Sequence, residues 1–182
     1  MAVRKEQPIS YQEFVEMDFG EHARAELIDG RIYMMSSPST RHQVVLGNMF
    51  GQLYNHLAGK KCKALLSPFA VRLNEDTEVQ PDLVVICDPN KLTRRGCNGA
   101  PDLIIEILSP STERHDRYTK FMLYMAAGVP EYWMVNPENN ALTVCRLTDN
   151  GYVTTILNDT DNATINALPG FEMDLGAVFA ED

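Results

Sequence analysis

The chain has no apolar run that approaches the length of a transmembrane helix. Its first eight residues also lack the hydrophobic stretch that marks a signal peptide. We therefore expect a protein that has no membrane partner and that is located in the cytoplasm.

Cysteine is also sparse and widely spaced. The four cysteines are Cys62, Cys87, Cys97 and Cys145, and no two of them have the Cys-x-x-Cys spacing typical of structural zinc sites. The pattern indicates neither a zinc site nor a disulfide framework. Reduced thiols, as in a cytoplasmic protein, are the expectation.

Positive charge is in short supply as well. Lys and Arg number 16 against 25 Asp and Glu, and the formal net charge is −9. This balance argues against a general nucleic-acid binder, because neutralising phosphates with basic side chains supplies most non-specific affinity. The short basic stretches at 60–63, 91–95 and 114–120 are more typical of solvated surface.

What the chain does have is enough apolar sequence for a core. With 45% hydrophobic residues in 182, it can bury one full core, and no shift in composition marks a boundary. We predict a single domain over residues 1–182.

Apolar periodicity and turn signals divide the chain into helices and strands. A capping box at Ser10 and Glu13 predicts a short first helix. The other predicted elements are helices at 43–57 and about 113–127, strands at 62–66, 69–73, 83–87, 103–108 and 131–135, and hairpins at 26–35 and 141–157. This order predicts an α/β fold of the mixed α+β kind, with a central mixed β-sheet flanked by helices, an N-terminal hairpin and a C-terminal hairpin.

Two of the apolar strands carry a carboxylate where hydrocarbon is expected. Asp82 opens the strand at 83–87, and Glu106 lies inside the strand at 103–108, on the same face as Ile104 and Leu108. A buried carboxylate is costly without a hydrogen-bond donor, a cation or a metal. On neighbouring strands the two side chains could converge on Mg²⁺, with the backbone carbonyl of Ile107 and waters completing its shell.

Each of these acids also has an ordinary interpretation. Asp82 could be a turn aspartate, and a second Pro-Asp pair at Pro101-Asp102 shows that one such pair is weak evidence by itself. What favours Asp82 is Glu106 downstream, on the next apolar strand.

A phosphate hydrolase also needs a cation near the attacking water. Lys120 is the candidate, because it follows the Glu106 strand and shares a helical face with Asp116 and Tyr124. The alternative is a surface Asp116–Lys120 ion pair, which would contribute little to stability.

Two further residues could reach the same cleft. Glu26 begins the first hairpin and His42 stands at the start of the long helix. Their ordinary interpretations are a surface charge at a strand edge for Glu26, and a helix cap or solvent-facing ring for His42. Glu131 is interpreted as structural.

Taken together, these segments resemble one family over about residues 10–175. The residues that carry the resemblance are Glu26-Leu-Ile-Asp-Gly30, His42, Pro81-Asp82, the segment 101–112, Asp116, Lys120, Tyr124 and the segment 128–133. The chain is similar to the Uma family of proposed bacterial endonucleases, in the restriction-endonuclease-like PD-(D/E)XK superfamily.

The resemblance implies a restriction-endonuclease-like core and hydrolysis of DNA phosphodiester bonds with Mg²⁺, or with Mn²⁺ as a possible substitute. It implies that Asp82 and Glu106 bind the metal, that Glu26 is the acid of the N-terminal element, and that Lys120 supplies the catalytic cation. The superfamily lysine normally lies two residues after the second acid, where this chain has Leu108. A lysine relocated to the following helix is a known variation, and Lys120 fits it.

Three functions remain open at this point. The leading hypothesis is a metal-dependent endonuclease acting on DNA, expected to work as a homodimer. The alternative is a catalytically inactive nuclease-fold protein with a binding or regulatory role, suggested by Leu108 and by the acidic net charge. A third is hydrolysis of a small phosphorylated molecule.

Overall fold

The computed structural model describes residues 8–20 and 23–180. Within them the chain forms four α-helices: α1 (Tyr11–Glu16), α2 (Thr40–Leu57), α3 (Phe121–Ala126) and α4 (Leu175–Phe179). A π-helix at His115–Lys120 leads directly into α3, and a short 3-10 helix occupies Pro89–Lys91. The strands of the same ranges are β1 (Arg24–Ile28), β2 (Arg31–Met35), β3 (Lys63–Leu66), β4 (Ala70–Arg72), β5 (Glu78–Val79), β6 (Leu83–Ile86), β7 (Gly96–Asn98), β8 (Leu103–Ile107), β9 (Glu131–Asn136), β10 (Ala141–Thr148), β11 (Gly151–Asn158), β12 (Asn162–Thr164) and β13 (Glu172–Asp174).

The strands form two large mixed sheets and one small one. The six-stranded sheet has the order β11-β10-β9-β8-β6-β3, with β8 and β9 parallel and the other neighbours antiparallel. The five-stranded sheet has the order β2-β1-β5-β4-β7, and β12 pairs with β13. Mixed sheets flanked by helices confirm the predicted fold class, with the N-terminal hairpin in the five-stranded sheet and the C-terminal hairpin in the six-stranded one.

The central strands β6, β8 and β9 of the six-stranded sheet are buried on both faces, and their side chains alternate between two cores. Leu103 and Ile105 of β8 pack in a core with the apolar stripe of α2. Ile104 of β8, and Leu108 directly after the strand, pack in a second core shared with the five-stranded sheet. Glu106 has the parity of the second group. It therefore points toward the layer that holds β1 and the π-helix.

The capping box and the first hairpin, both predicted near the N-terminal end, are present in the structure. Ser10 accepts a hydrogen bond from the backbone of Glu13, and the Glu13 carboxylate accepts one in return from the Ser10 backbone, 2.8 Å away. In the β1–β2 hairpin, Asp29 has φ of 49° and Gly30 has φ of 70°, the positive dihedrals that a tight two-residue turn requires. The capping box and the hairpin are both confirmed.

Other boundaries differ from the prediction. Helix α2 begins at Thr40 rather than at residue 43, because Ser39 caps it. The helix predicted at 113–127 is not a regular α-helix throughout, since its first half is the π-helix. The short strands β5, β7, β12 and β13 and helix α4 were missed because two to five residues are too few to show a period.

The prediction of no disulfide is wrong for one pair of cysteines. Cys62 and Cys87 are joined by a disulfide across 25 positions of sequence. The antiparallel register of β3 and β6 pairs Lys63 with Ile86, so the next pair along the two strands is Cys62 and Cys87. Cys97 and Cys145 are free and buried.

Two expectations about membranes and targeting concern separate parts of the chain. Residues 1–7, where we expect no signal peptide, lie outside the described residues. Among the helices that the structure describes, none has the length and apolar character needed to cross a membrane.

Candidate active site

A cleft of about 700 Å³ lies where β1, the start of α2, the ends of β6 and β8, and the π-helix meet. All five residues that we predicted for the site line it: Glu26, Asp82, Glu106, Ile107 and Lys120. His42 lines the same cleft. The structure therefore brings the predicted residues together, although they span almost a hundred positions of sequence.

Asp82 and Glu106 meet because their strands are neighbours. Strands β6 and β8 are antiparallel, and Leu83 pairs with Ile105. The next opposed pair is therefore Asp82 and Glu106, and side chains opposed in this way have Cβ atoms about 5 Å apart. The adjacency of the two strands that we predicted is confirmed.

The Glu106 carboxylate is buried, with 4% of the residue exposed. Its Oε1 atom accepts hydrogen bonds from Lys120 Nζ and from the Tyr124 hydroxyl, each at 2.8 Å. Its Oε2 atom accepts none from the residues that the structure describes. Burial raises the pKa of Glu106, Lys120 opposes this rise, and the carboxylate of Asp82 adds to it.

The Asp82 carboxylate is arranged in a similar way. Its Oδ2 atom accepts a hydrogen bond of 2.8 Å from the backbone N–H of Ile107 and lies 3.2 Å from His42 Nε2. Its Oδ1 atom has no hydrogen-bond partner among the described residues. Each acid thus has one oxygen in contact with two partner groups and one oxygen with no hydrogen-bond partner among the described residues.

Lys120 is buried, not at the surface. Its Nζ atom lies 2.8 Å from Glu106, 3.0 Å from Glu26 Oε1 and 3.9 Å from Asp116 Oδ1. Burial by itself would lower the pKa of Lys120, but the three carboxylates raise it well above its usual value. The alternative of a surface Asp116–Lys120 pair is therefore wrong.

Glu26 is likewise interior, with 3% of the residue exposed. Besides Lys120, its Oε1 atom accepts a 2.8 Å hydrogen bond from the backbone N–H of Gln80. Glu26 is therefore not a surface charge. His42 is also buried, so its ring does not face solvent.

The π-helix forms part of the cleft wall. Asp116 and Lys120, both buried, lie four residues apart on it, and Tyr124 follows four residues later on α3. Burial raises the pKa of Asp116, and Lys120 opposes that rise. A π turn inside a longer helix is rare and is found frequently at functional sites.

The donor set determines which metal the cleft could hold. The carboxylates of Glu26, Glu106 and Asp116 lie within 4 Å of the Lys120 ammonium group, and Asp82 lies close enough to Glu106 to affect its pKa. Acidic residues outnumber Lys and Arg in the cleft lining, where the basic residues are Arg24, Arg41 and Lys120. Carboxylate oxygens are hard donors suited to Mg²⁺ or Mn²⁺. Across residues 8–20 and 23–180, no three His, Cys, Asp or Glu side chains converge as a ready metal cluster. A metal would therefore depend on two carboxylates plus waters, which is a common arrangement for Mg²⁺.

Residues that we set aside have structural contacts elsewhere. The Asp102 carboxylate accepts a 2.7 Å hydrogen bond from the backbone N–H of Cys87. The Glu131 carboxylate accepts from Trp133 Nε1 at 2.8 Å and from the backbone N–H of Asn166 at 2.9 Å. Both acids have hydrogen-bond donors outside the cleft.

Sequence reasoning missed two features of the site. The contact between His42 and Asp82 was not predicted, and no local pattern encodes it. The tetrapeptide Ser-Pro-Ser-Thr occurs at both 37–40 and 109–112, and both copies contribute lining residues to the cleft. This repetition was a usable signal for the two loops.

Comparisons with known proteins agree on a family and a fold. A model of the family Uma2, described as "Putative restriction endonuclease", matches residues 11–176. The uncharacterized protein slr1290 of Synechocystis sp. is 33% identical over 117 residues, which are 64% of this chain and 62% of that protein. The match thus spans less than two thirds of that relative's length.

A solved structure extends the comparison to nearly the whole chain. The crystal structure of "a putative nuclease belonging to DUF820" from Anabaena variabilis superposes with a TM-score of 0.80 at 18% identity. The alignment covers 94% of this chain and 98% of that one. At this identity the likeness shows a shared fold.

Proposed function

This chain belongs to the Uma2 family, and from that membership we propose that it is a metal-dependent endonuclease that hydrolyses phosphodiester bonds of DNA. The resemblance to the Uma family and the restriction-endonuclease-like fold are confirmed. The substrate, the metal and the roles of individual residues belong to the proposal.

The observation that carries the proposal is the opposed pair of carboxylates in the cleft. Asp82 and Glu106 come from adjacent antiparallel strands, and each keeps one oxygen unengaged while donors hold the other. Such an arrangement is costly for a core and favourable for binding a divalent cation.

In this proposal Asp82, Glu106 and the backbone carbonyl of Ile107 hold Mg²⁺, with Mn²⁺ as a possible substitute. When bound, the metal would act as a Lewis acid on the phosphate and would lower the pKa of a water molecule. The excess of carboxylates over cations in the cleft supports this assignment.

The protein groups around the metal ligands then have separate tasks. Lys120 stays protonated and supplies positive charge beside the phosphate. Glu26 anchors the Lys120 ammonium group at 3.0 Å, and the Tyr124 hydroxyl orients Glu106. Leu108, in the place of the usual superfamily lysine, is buried in the second core, so the only nearby ammonium group among the described residues comes from the π-helix.

The test is cleavage of plasmid DNA by the wild type and by Asp82→Asn and Glu106→Gln variants in Mg²⁺ and in Mn²⁺. We expect each variant to lose at least about 100-fold in rate, which is the scale of removing one transition-state stabiliser. Asp102→Asn is the matched control, because it changes the other Pro-Asp pair and keeps an oxygen that can accept from Cys87. Its cleavage rate should match that of the wild type.

The inactive alternative makes a different prediction for the same experiment. If wild-type protein binds DNA but does not cut it with either metal, the binding or regulatory role is favoured and the nuclease proposal is wrong. Competition by nucleotides but not by DNA would instead favour a small phosphorylated substrate.

A further inference from the structure

His42 occupies a helix position where an apolar side chain would ordinarily be expected. It lies in the first turn of α2, on the side that buries Val45, Leu46 and Met49. Its backbone N–H is already satisfied by Ser39 Oγ at 3.2 Å. Ser39 is the N-cap, so the His42 ring does not cap the helix. Only 7% of His42 is exposed.

The buried ring makes one polar contact. Its Nε2 atom lies 3.2 Å from Asp82 Oδ2, and its Nδ1 atom has no partner among the described residues. Because a carboxylate oxygen only accepts, a hydrogen bond between these two atoms requires the hydrogen to be on Nε2. Nδ1 is buried without a partner in the described ranges, which costs free energy. The contact of Nε2 with Asp82 is therefore the polar contact of this ring with the described residues.

The contact with His42 affects how the Asp82 carboxylate is oriented. Its Oδ2 atom accepts a hydrogen bond from the Ile107 N–H of β8. Nε2 of His42, on α2, lies 3.2 Å from the same oxygen. Contacts from two different elements therefore limit the rotation of this carboxylate. They leave Oδ1 as the oxygen available to a ligand.

We infer that His42 is a positioning residue, which holds Asp82 so that Oδ1 is presented to a divalent cation in the cleft. This inference rests on the proposed function, since it assumes that Asp82 binds the metal. Groups that orient a metal ligand through a hydrogen bond commonly contribute 10–100-fold to metal affinity.

Two amide substitutions separate the hydrogen bond from the general effect of a polar side chain. In His42→Gln the amide nitrogen can occupy about the position of Nε2 and donate to Asp82. In His42→Asn the amide is shorter and reaches only the position of Nδ1. Both variants bury one amide in place of the ring, so their effects on folding should be similar, and thermal unfolding without metal checks this.

The readout is Mn²⁺ affinity of the full chain, measured by isothermal titration calorimetry. We expect His42→Asn to weaken Mn²⁺ binding by about tenfold or more, and His42→Gln to recover most of the loss. DNA cleavage should fall in the same order, through a lower kcat more than a higher KM. His56→Gln, a change at the other end of the same helix, is the control and should bind Mn²⁺ like the wild type.

The outcomes distinguish this inference from the function on which it rests. If His42→Asn binds Mn²⁺ as tightly as the wild type, or if Gln and Asn weaken it equally, the positioning role is wrong while the metal site stands. If the wild type itself binds no Mn²⁺ at millimolar concentration, the metal site is wrong and the role of His42 falls with it.

Discussion

Lys120 shows why the cleft can hold so many buried charges. Removing a carboxylate or an ammonium group from water is expensive, and the interior tolerates it only when partners are close and well oriented. Lys120 contacts Glu106 and Glu26 at 2.8 and 3.0 Å. Without that ammonium group, both carboxylates would be buried with no cation among the described residues in contact.

Lys120→Met should therefore destabilise the metal-free protein strongly. We expect a loss of about 3–5 kcal/mol in the free energy of unfolding, which is typical of removing one partner of a buried ion pair. Urea denaturation is the measurement. Lys91→Met is the matched control, because Lys91 donates to the neutral carbonyl of Ala100 and leaves no charge uncompensated.

A double variant checks the cause of this loss. In Lys120→Met combined with Glu106→Gln, one of the stranded carboxylates becomes neutral, so the double variant should be more stable than Lys120→Met alone. Equal losses for Lys120→Met and Lys91→Met would contradict the ion-pair explanation.

Among the elements, the β1–β2 hairpin positions Glu26, and its turn is tightly enclosed. Gly30 has φ of 70°, and a Cβ atom added there would lie 2.5 Å from Pro8 Cβ. A side chain at this position meets both an unfavourable dihedral and a steric clash. The turn therefore requires glycine for two separate reasons.

Gly30→Ala should destabilise the protein more than Gly59→Ala. Gly59 has φ of 74° but open space around a Cβ atom, so it isolates the backbone cost of about 1 kcal/mol. Thermal unfolding measures the difference between the two variants. If they lose the same stability, the contact with Pro8 contributes nothing.

The helix predicted at 113–127 shows that apolar spacing alone does not determine the type of helix. Apolar spacing predicted a continuous helix at 113–127, but the chain adopts a π-helix over His115–Lys120. At this turn Lys120 contacts Glu26 of β1 and Glu106 of β8, and the backbone carbonyl of Asp116 accepts a hydrogen bond from the Tyr132 hydroxyl of β9. These distant contacts are absent from any local pattern, so the π turn could not be predicted from it.

Across the whole molecule, buried thiols and phenols make stability depend on pH. Burial raises the pKa of Cys97 to about 11 and that of Cys145 to about 12, and it raises the pKa of Tyr132 well above its usual value. An unfolded thiol titrates near 8.5. Above that pH the unfolded chain holds fewer protons than the folded one, so stability falls as pH rises.

We expect the free energy of unfolding to be lower at about pH 10 than at about pH 8, measured by guanidinium denaturation. Cys145→Ala should make this dependence shallower, because it removes one of the groups responsible. Cys62 and Cys87 do not titrate, since they form the disulfide. An unchanged slope in Cys145→Ala would contradict the assignment.

Some expectations about the whole molecule stay predictions. They are the single domain over residues 1–182, the homodimer and the cytoplasmic location. The homodimer can be checked by light scattering together with the cleavage assays.

The sequence by itself determined the elements and the identity of the candidate acids. Period and turn chemistry gave the capping box, the first hairpin and the central strands, because those signals act over a few residues. Strand parity placed Glu106 on the face of Ile104 and Leu108, since alternation is a local property of a strand.

Only the tertiary structure decided how these residues meet. The register of β6 with β8 opposes Asp82 to Glu106, the register of β3 with β6 joins Cys62 to Cys87, and the contact of His42 with Asp82 crosses forty positions. The burial of Lys120 likewise depends on carboxylates far from it in sequence. Such contacts are fixed by the packing of separate elements, and local patterns carry no information about them.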